Sequence, residues 1–365
     1  MIEPSRSEAT GLTVLISDQA APPYAALRPL KPTRTTTFPV YQDLVDKLIQ
    51  VKAHPDDTVA HVMATCAGYA YSTADTVAMI MARMGLEDNR CRMIAEYVDA
   101  MFICSTSFIV QSSEGRVVLL AYRGTEPANG INWLTDADVH PDKVAIAFPG
   151  TDGSFAVHEG FYRNVRATRY EVVSALQRAV EGKSLRGEQD QALAPMEALY
   201  ITGHSLGAAM AALMAVMLIT DPAYAAIAEK LRAVYTFGQP MIGSPELARA
   251  CDADAFLSKN VIRYIYRRDV IPHLPPKVSG PFAHFGPEYH YEQSWPWIRQ
   301  NRPTEQMGNL LGLVEAPLAF VSRQLRWTSN IPFHYSLDDH APQHYLSRLT
   351  PPGTPTEFGD NVLAD

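Results

Sequence analysis

The stretch Leu199-Tyr200-Ile201-Thr202-Gly203-His204-Ser205-Leu206-Gly207, followed by an apolar run over 208–219, decides the fold of this chain. A short β-rich run leads into a Gly-x-Ser-x-Gly turn, and an Ala- and Met-rich helix is predicted to leave it. Glycines on both sides of the serine allow a sharp reversal and close packing of the helix on the strand. Ser205 is then expected at the tip of the turn with its hydroxyl exposed. The amide of Leu206 would lie at the helix N-terminus, where partial positive charge favours a developing oxyanion.

Strand and helix patterns alternate on both sides of this turn. Strands are predicted over 99–104, 107–111, 117–122, 199–204, 231–237 and 261–266, with a hairpin across 143–157. Helices are predicted from 41 to about 54, from about 57 to 71, 73 to 85, 161 to 181, 206 to 220 and 244 to 255, with a further short helix that ends near 230. This alternation predicts an α/β fold in which a mostly parallel central sheet has helices on both faces.

One main domain is expected, between two segments of different character. Residues 1–40 hold six prolines and little periodicity, which predicts an extended N-terminal arm. The domain is predicted over 41–349, with a cap-like insertion at about 278–335. The Pro- and Gly-rich residues 350–365 are predicted to form a mobile C-terminal tail.

Composition and charge exclude several classes of partner and cofactor. A formal net charge of −8 and no basic cluster argue against binding nucleic acid. The four cysteines are scattered without a CxxC pair, which predicts reduced, buried thiols: they are Cys66, Cys91, Cys104 and Cys251. The first residues do not resemble a signal peptide, and the apolar run 208–219 is too short to span a membrane. These features predict a cytoplasmic protein, with a leaderless export route left open.

A nucleophilic serine requires an imidazole that takes its proton and a carboxylate that orients the imidazole. When the serine lies on such an elbow, the acid follows a later strand and the histidine comes last. Asp269 fits the acid because it opens the turn 268–272 directly after the strand that ends at Tyr266.

Several histidines follow this turn and compete for the role of base. His340 comes directly after Asp338-Asp339 and before a short helical stretch, and His344, four residues later, is its main rival. His284, Glu288 and His290 are of residue types that bind metals, but their spacing is unspecific. No metal or organic cofactor is predicted.

Four segments together resemble the fungal-type, class 3 lipase family of α/β-hydrolases. They are Leu-Leu-Ala-Tyr-Arg-Gly-Thr at 119–125 with Asn-Trp-Leu-Thr-Asp at 132–136, His-Glu-Gly-Phe at 158–161, Gly-His-Ser-Leu-Gly at 203–207, and Thr-Phe-Gly-Gln-Pro-Met-Ile-Gly at 236–243. The turn 268–275 is similar to the family's Asp-containing turn. The family often ends with a His followed five residues later by Tyr-Leu, which matches His340 and Tyr345-Leu346 rather than His344. The resemblance runs from about 56 to 346.

This resemblance implies an α/β-hydrolase fold and a lipase-like serine carboxylic-ester hydrolase that acts through an acyl-enzyme. It implies Ser205 as nucleophile, His340 as base and Asp269 as its orienting acid, with Thr125 and Leu206 as the oxyanion hole. The substrate would be an acyl ester or lipid. A phospholipase A1 or an acyltransferase on the same site, and a non-catalytic lipid-binding module of the same fold, are the alternatives. The sequence makes no prediction of oligomeric state.

The stretch between Asp269 and His340 is longer than the core fold needs. It contains an amphipathic segment from Met307 to Leu325, with Leu310, Leu311 and Val314 on its apolar side. Because the loop 126–137, where the family usually carries its lid, is short, we hypothesise that this later segment caps the acyl pocket and makes transient contact with a lipid interface. A helix packed statically against the core is the alternative.

Overall fold

The computed structural model describes residues 14–28, 38–98, 103–125, 141–148, 150–151, 153–186, 192–292, 294–308 and 335–360. Its strands are β1 (Val14–Ala20), β2 (Arg90–Val98), β3 (Ile103–Gln111), β4 (Val117–Tyr122), β5 (Pro141–Ala145), β6 (Ser154–His158), β7 (Ala198–His204), β8 (Leu231–Phe237), β9 (Val261–Tyr266), β10 (Glu288–Tyr291) and β11 (Ile298–Arg299). Its α-helices are α1 (Leu44–Gln50), α2 (Asp57–Tyr69), α3 (Ala74–Met84), α4 (Glu159–Val180), α5 (Leu206–Thr220), α6 (Ala225–Ala228), α7 (Pro245–Ala253), α8 (Leu257–Asn260) and α9 (Pro342–Leu349).

Nine strands form one sheet in the order β1-β2-β3-β4-β7-β8-β9-β10-β11, and β5 pairs with β6 in a separate hairpin. The five strands β4, β7, β8, β9 and β10 run parallel, whereas β1 to β4 pair antiparallel on one side and β11 pairs antiparallel with β10 on the other. The carboxyl ends of the central strands therefore meet at one edge of the sheet, where α/β folds place their sites.

Each face of the sheet carries its own hydrophobic core. Helices α4 and α5 cover one face, and α1, α2, α3 and α9 cover the other. Every residue of β7 is buried, because this strand lies in the middle of the sheet with helices on both sides. Helix α5 is apolar all round and almost wholly buried, so it packs tightly behind the turn that Ser205 occupies.

The structure confirms the predicted elements around the elbow. Strands β8 and β9 have the predicted bounds, and Ser244 caps the helix that follows β8 by accepting a hydrogen bond from the Leu247 amide. These two strands are almost completely buried, which is why their sequences are largely continuous apolar runs.

Strands at both margins of the sheet were missed, and β2 (Arg90–Val98) lies before the strand predicted over 99–104. Val14–Ala20 lies in the segment predicted as an extended arm, but it pairs antiparallel with β2 as an edge strand. Glu288–Tyr291, which follows the last strand predicted, pairs in parallel with Val261–Tyr266. Short marginal strands carry too few alternating residues to stand out among prolines and polar loops.

The stretch predicted as an insertion begins as part of the sheet. In β10 the carboxylate of Glu288 meets the guanidinium of Arg263 on β9 at 2.5 Å, and both side chains are buried. The segment with Leu310, Leu311 and Val314 lies outside the described residues, as does the loop 126–137, so the cap stays a prediction. The predicted domain boundaries also stay predictions, and residues 350–360 pack against α2 through buried Glu357.

The four cysteines form no disulfide with one another in the structure. Cys66, Cys91 and Cys251 are buried, but Cys104 is exposed at the start of β3, which corrects the expectation for that residue. Among the described residues, no single helix has the length and apolar character to cross a membrane; Leu206–Thr220 and Pro222–Ala228 meet those criteria only together, across a 96° bend.

Candidate active site

Ser205 lies in a strained turn between β7 and α5. Its φ of 60° is in the left-handed region, and its backbone N–H donates to the carbonyl oxygen of Phe237 at 3.0 Å. A Cβ placed on Gly203 would collide with the backbone of Gly207, so only glycine at position 203 allows the helix to lie this close to the strand. The strain at a polar residue, held by tight packing around it, is the geometry expected of a nucleophile elbow.

The loop after β4 touches the elbow from the neighbouring strand. A Cβ placed on Gly124 would lie 3.2 Å from Cβ of Ser205 and 2.5 Å from the carbonyl oxygen of His204. Thr125 follows Gly124 directly, and Leu206 is the first residue of α5. The two residues predicted for the oxyanion hole therefore flank the contact between these loops.

Asp269 and His340 form a buried pair at the same edge. Nδ1 of His340 lies 2.8 Å from Oδ2 of Asp269, and the two side chains are 3% and 0% exposed. Because a carboxylate oxygen accepts, Nδ1 carries the proton and Nε2 is left as the basic nitrogen. The other oxygen of Asp269 accepts from the amide of Ile271 at 2.9 Å, which fixes the plane of the carboxylate.

Tyr345 is a third partner of this pair. Its hydroxyl donates to Oδ2 of Asp269 and accepts from the amide of Tyr266 at 3.1 Å. Burial, together with the adjacent carboxylate, raises the pKa of Tyr345 well above its usual value, so the hydroxyl stays protonated and donates. This contact was not predicted, because in the sequence Tyr345 indicates only the spacing that follows His340.

Backbone hydrogen bonds tie the turn that carries His340 to the loop that carries Asp269. The amide of Ser336 donates to the carbonyl of Arg268 at 2.8 Å, and the amide of Val270 donates back to Ser336 at 3.3 Å. The carboxylate of Asp339 accepts from the amide of Arg268 at 3.3 Å. These contacts set the position of His340 although it lies 71 residues after Asp269 in sequence.

Nε2 of His340 is buried and has no hydrogen-bond partner within the described part of the chain. A hydrogen bond from the hydroxyl of Ser205 to this nitrogen is therefore not formed in this structure. Hydrogen bonds to a catalytic base are often long without substrate and shorten in the complex. The base and the elbow lie side by side, since the ring centroids of His340 and His204 are 4.4 Å apart.

Gly238, directly after β8, lies against both members of the pair. Its φ is +58°, and a Cβ placed on it would lie 2.7 Å from Oδ2 of Asp269 and 2.8 Å from Nδ1 of His340. Only a residue without a side chain fits beside the pair. The glycine belongs to the Phe-Gly-Gln-Pro motif of the sequence, but the sequence alone does not reveal which side chains it contacts.

The other histidines have different partners. His344 stacks on Tyr266 at 5.1 Å between ring centroids, and its Nε2 lies 3.9 Å from Oδ2 of Asp338, so the rival base does not pair with Asp269. Nε2 of His284 bonds to the carbonyl of Pro272 at 2.8 Å.

Glu288, which lies between His284 and His290 in sequence, is already paired with the guanidinium of Arg263. Burial alone would raise its pKa, but Arg263 and the hydrogen bond with His290 hold that pKa well below its usual value. Across the described ranges, no group of three or more His, Cys, Asp or Glu side chains could hold a metal ion.

Comparisons with known proteins find similarity to lipases. Residues 119–279 match the family model of class 3 lipases. The chain is 26% identical over 199 residues to a lipase of Rhizomucor miehei, covering 54% of this chain and 46% of that protein. It is 25% identical over 232 residues to the secreted mono- and diacylglycerol lipase A of Penicillium cyclopium, covering 61% of this chain and 66% of that protein.

Among solved structures, the native propeptide complex of the Rhizomucor miehei lipase matches with a TM-score of 0.50 at 21% identity, covering 77% of this chain and 78% of that chain. This match shows the α/β-hydrolase fold. The chain spans half or less of the length of the first curated relatives it matches. With the fold, the elbow and the matched motifs in agreement, the chain is similar to class 3 lipases over residues 119–279.

Proposed function

We propose that this protein is a serine carboxylic-ester hydrolase that acts on acyl esters of lipids through an acyl-enzyme. The observation that carries the proposal is the buried Asp269–His340 pair, whose basic nitrogen has no other partner in the described residues, beside a strained serine elbow. A carboxylate, an imidazole and a serine in this arrangement are the parts that acyl transfer needs.

In the proposed reaction, Oγ of Ser205 attacks the ester carbonyl while its proton passes to Nε2 of His340. The carbonyl oxygen becomes an oxyanion that the backbone amides of Thr125 and Leu206 bind. His340 then gives the proton to the departing alcohol, and the acyl group stays on Ser205. Water attacks the acyl-enzyme with His340 again as base, which releases the fatty acid and restores the serine.

Two features of the site supply much of the proposed rate enhancement. The carboxylate of Asp269 holds His340 in the productive tautomer and stabilises the imidazolium that forms. Each amide of the oxyanion hole lowers the barrier by roughly 3 kcal/mol, because it is already oriented before charge develops. No metal or organic cofactor has a part in this sequence of steps.

Acylglycerols are the substrate class that the relatives favour. These relatives include a triacylglycerol lipase of Ricinus communis and a mono- and diacylglycerol lipase of Penicillium cyclopium. We extend this chemistry to the present chain as a proposal, since the shared segments carry the elbow and the Asp269 turn.

The test compares hydrolysis of a soluble p-nitrophenyl ester and of an emulsified triacylglycerol by the wild-type chain and by Ser205→Ala. The variant is expected to lose about 10⁴-fold or more in kcat while its melting temperature stays close to that of the wild type. Ser113→Ala, at an exposed serine in the β3–β4 turn, is the matched control and should keep full activity. Wild-type rates from Ser205→Ala would refute the proposal, and so would an inactive wild-type chain on both substrates.

A further inference from the structure

His204, the residue before Ser205, is buried between two hydrogen-bond partners. Its Nδ1 lies 2.8 Å from the hydroxyl of Tyr71, and its Nε2 lies 2.6 Å from the carbonyl oxygen of His340. The side chain is 1% exposed, and its ring packs against the ring of His340. Both ring nitrogens are thus engaged, and one of them holds the backbone of the residue proposed as base.

The partners determine where the protons lie in this hydrogen-bonded string, which runs from the hydroxyl of Tyr71 through the ring of His204 to the carbonyl of His340. The carbonyl of His340 can only accept, so Nε2 of His204 donates to it. Burial is the main cause that lowers the pKa of His204 well below its usual value, and the neighbouring His340 is a smaller one. The ring therefore stays neutral. Nδ1 then accepts, and Tyr71 donates, since burial raises the pKa of its hydroxyl. The direction is therefore Tyr71 to His204 to the carbonyl of His340.

This string joins three loops that meet at the site. Tyr71 follows α2, His204 belongs to the elbow, and His340 lies on the late 3-10 turn. The hydroxyl of Tyr71 also lies within contact distance of a Cβ placed on Gly124, the residue before Thr125. One set of contacts therefore fixes the elbow, the base and the loop of the oxyanion hole relative to one another.

On the basis of the function proposed above, we propose that Tyr71 and His204 are positioning residues for His340. They hold the carbonyl of His340 at a set distance from the elbow, so that Nε2 can reach the hydroxyl of Ser205. Neither residue is required to touch substrate. Their loss should lower kcat with little effect on KM, because rates fall steeply when a reacting group is displaced by a fraction of an ångström.

Three substitutions test this role, with kcat expressed per active site titrated by a fluorophosphonate. His204→Leu removes both hydrogen bonds and should lower kcat by about 10- to 100-fold, with KM for a soluble ester within about twofold. His204→Gln keeps an N–H donor near the position of Nε2 and should recover kcat to within about fivefold of the wild type. Tyr71→Phe removes only the hydroxyl and should lower kcat by about 3- to 10-fold, which keeps the test valid if His204→Leu does not fold.

His61 provides a matched control. It is also fully buried, and it has the same two-sided bonding, with Nδ1 at 2.8 Å from the hydroxyl of Tyr41 and Nε2 at 3.1 Å from Oγ1 of Thr350. His61→Leu and Tyr41→Phe should lower the melting temperature but leave kcat per titrated site unchanged. If the Tyr71 and His204 variants behave like these controls, the two residues are structural only, and the inference is overturned.

A spectroscopic measurement separates this inference from the proposed hydrolysis. In ¹⁵N NMR of the wild-type chain, the ring of His204 should show a proton on Nε2 alone and no titration from pH 5 to 9. A proton on Nδ1, or protonation in this range, would overturn the inference even if the chain hydrolyses esters. If the expected spectrum is seen but the wild-type chain is inactive, the string exists and the proposed function is what fails.

Discussion

Gly238→Ala offers a sharp test of the geometry around the Asp269–His340 pair. The added Cβ would lie 2.7 Å from Oδ2 of Asp269 and 2.8 Å from both Nδ1 and Cε1 of His340. Ordinary contact begins at 3.4 Å, so the two side chains must retreat by roughly 0.6 Å in a tightly packed interior. The hydrogen bond of 2.8 Å between them would then be stretched or misaligned.

A displacement of this size should lower kcat/KM by about 10- to 100-fold, mainly through kcat, since the methyl group meets the pair and not the path of substrate. Left-handed backbone at an alanine also costs about 1 kcal/mol, which lowers the melting temperature. Gly353→Ala is the control because it carries the same kind of strain at φ +78° with nothing within 4 Å of its Cβ. The assay is soluble ester hydrolysis per titrated site beside a thermal melt. Equal kcat/KM in the two variants would refute the reasoning.

Three other predictions follow from the site and the buried groups. Asp269→Asn should lower kcat by about 10⁴-fold with little change in the melting temperature, and activity within tenfold of the wild type would exclude Asp269 as the orienting acid. Tyr345→Phe removes a donor to the Asp269 carboxylate and should lower kcat/KM by about 10-fold in the same assay; an unchanged value would make the contact structural. Burial lowers the pKa of His61 and of His284 to about 3. Below pH 6.5 these histidines therefore bind protons in the unfolded chain but not in the folded chain, so the free energy of unfolding falls as pH falls from 6.5 toward 3. Each histidine contributes a slope of about 1.4 kcal/mol per pH unit, and a melting temperature that stays flat from pH 6.5 to 4 would contradict this.

The elbow could be predicted because its signal is local. A buried strand, two glycines around Ser205 and an apolar helix occupy consecutive residues, and each has a conformational reason to be there. Strands β8 and β9 could be predicted for the same reason. Asp269 was found because acids of this kind follow a central strand, and the structure brings it to His340.

The supporting contacts could not be predicted, because they depend on residues far apart in sequence. Tyr71 and His204 are separated by 133 positions, and no periodicity indicates that the two will meet. Tyr345 reaches Asp269 across 76 positions in the same way. The role of Gly238 could not be predicted either, because it depends on which side chains lie next to its Cα, and only the folded structure shows them.

The edge strand at Val14–Ala20 was missed for a different physical reason. Its residues gain their structure from pairing with β2, and Leu15 and Ile16 remain 49% and 45% exposed. A strand that buries so little apolar surface has a weak pattern, and the prolines around it favour an extended arm. Its hydrogen-bonded register with β2 depends on the tertiary fold and not on its own residues alone.

The most direct test of the central claim is to find where a fluorophosphonate attaches. The account predicts one adduct on the native chain, mapped by mass spectrometry of peptides to Ser205, with the labelling rate strongly reduced in His340→Ala. No adduct on the native chain, an adduct on another residue, or a rate that does not depend on His340 would contradict it.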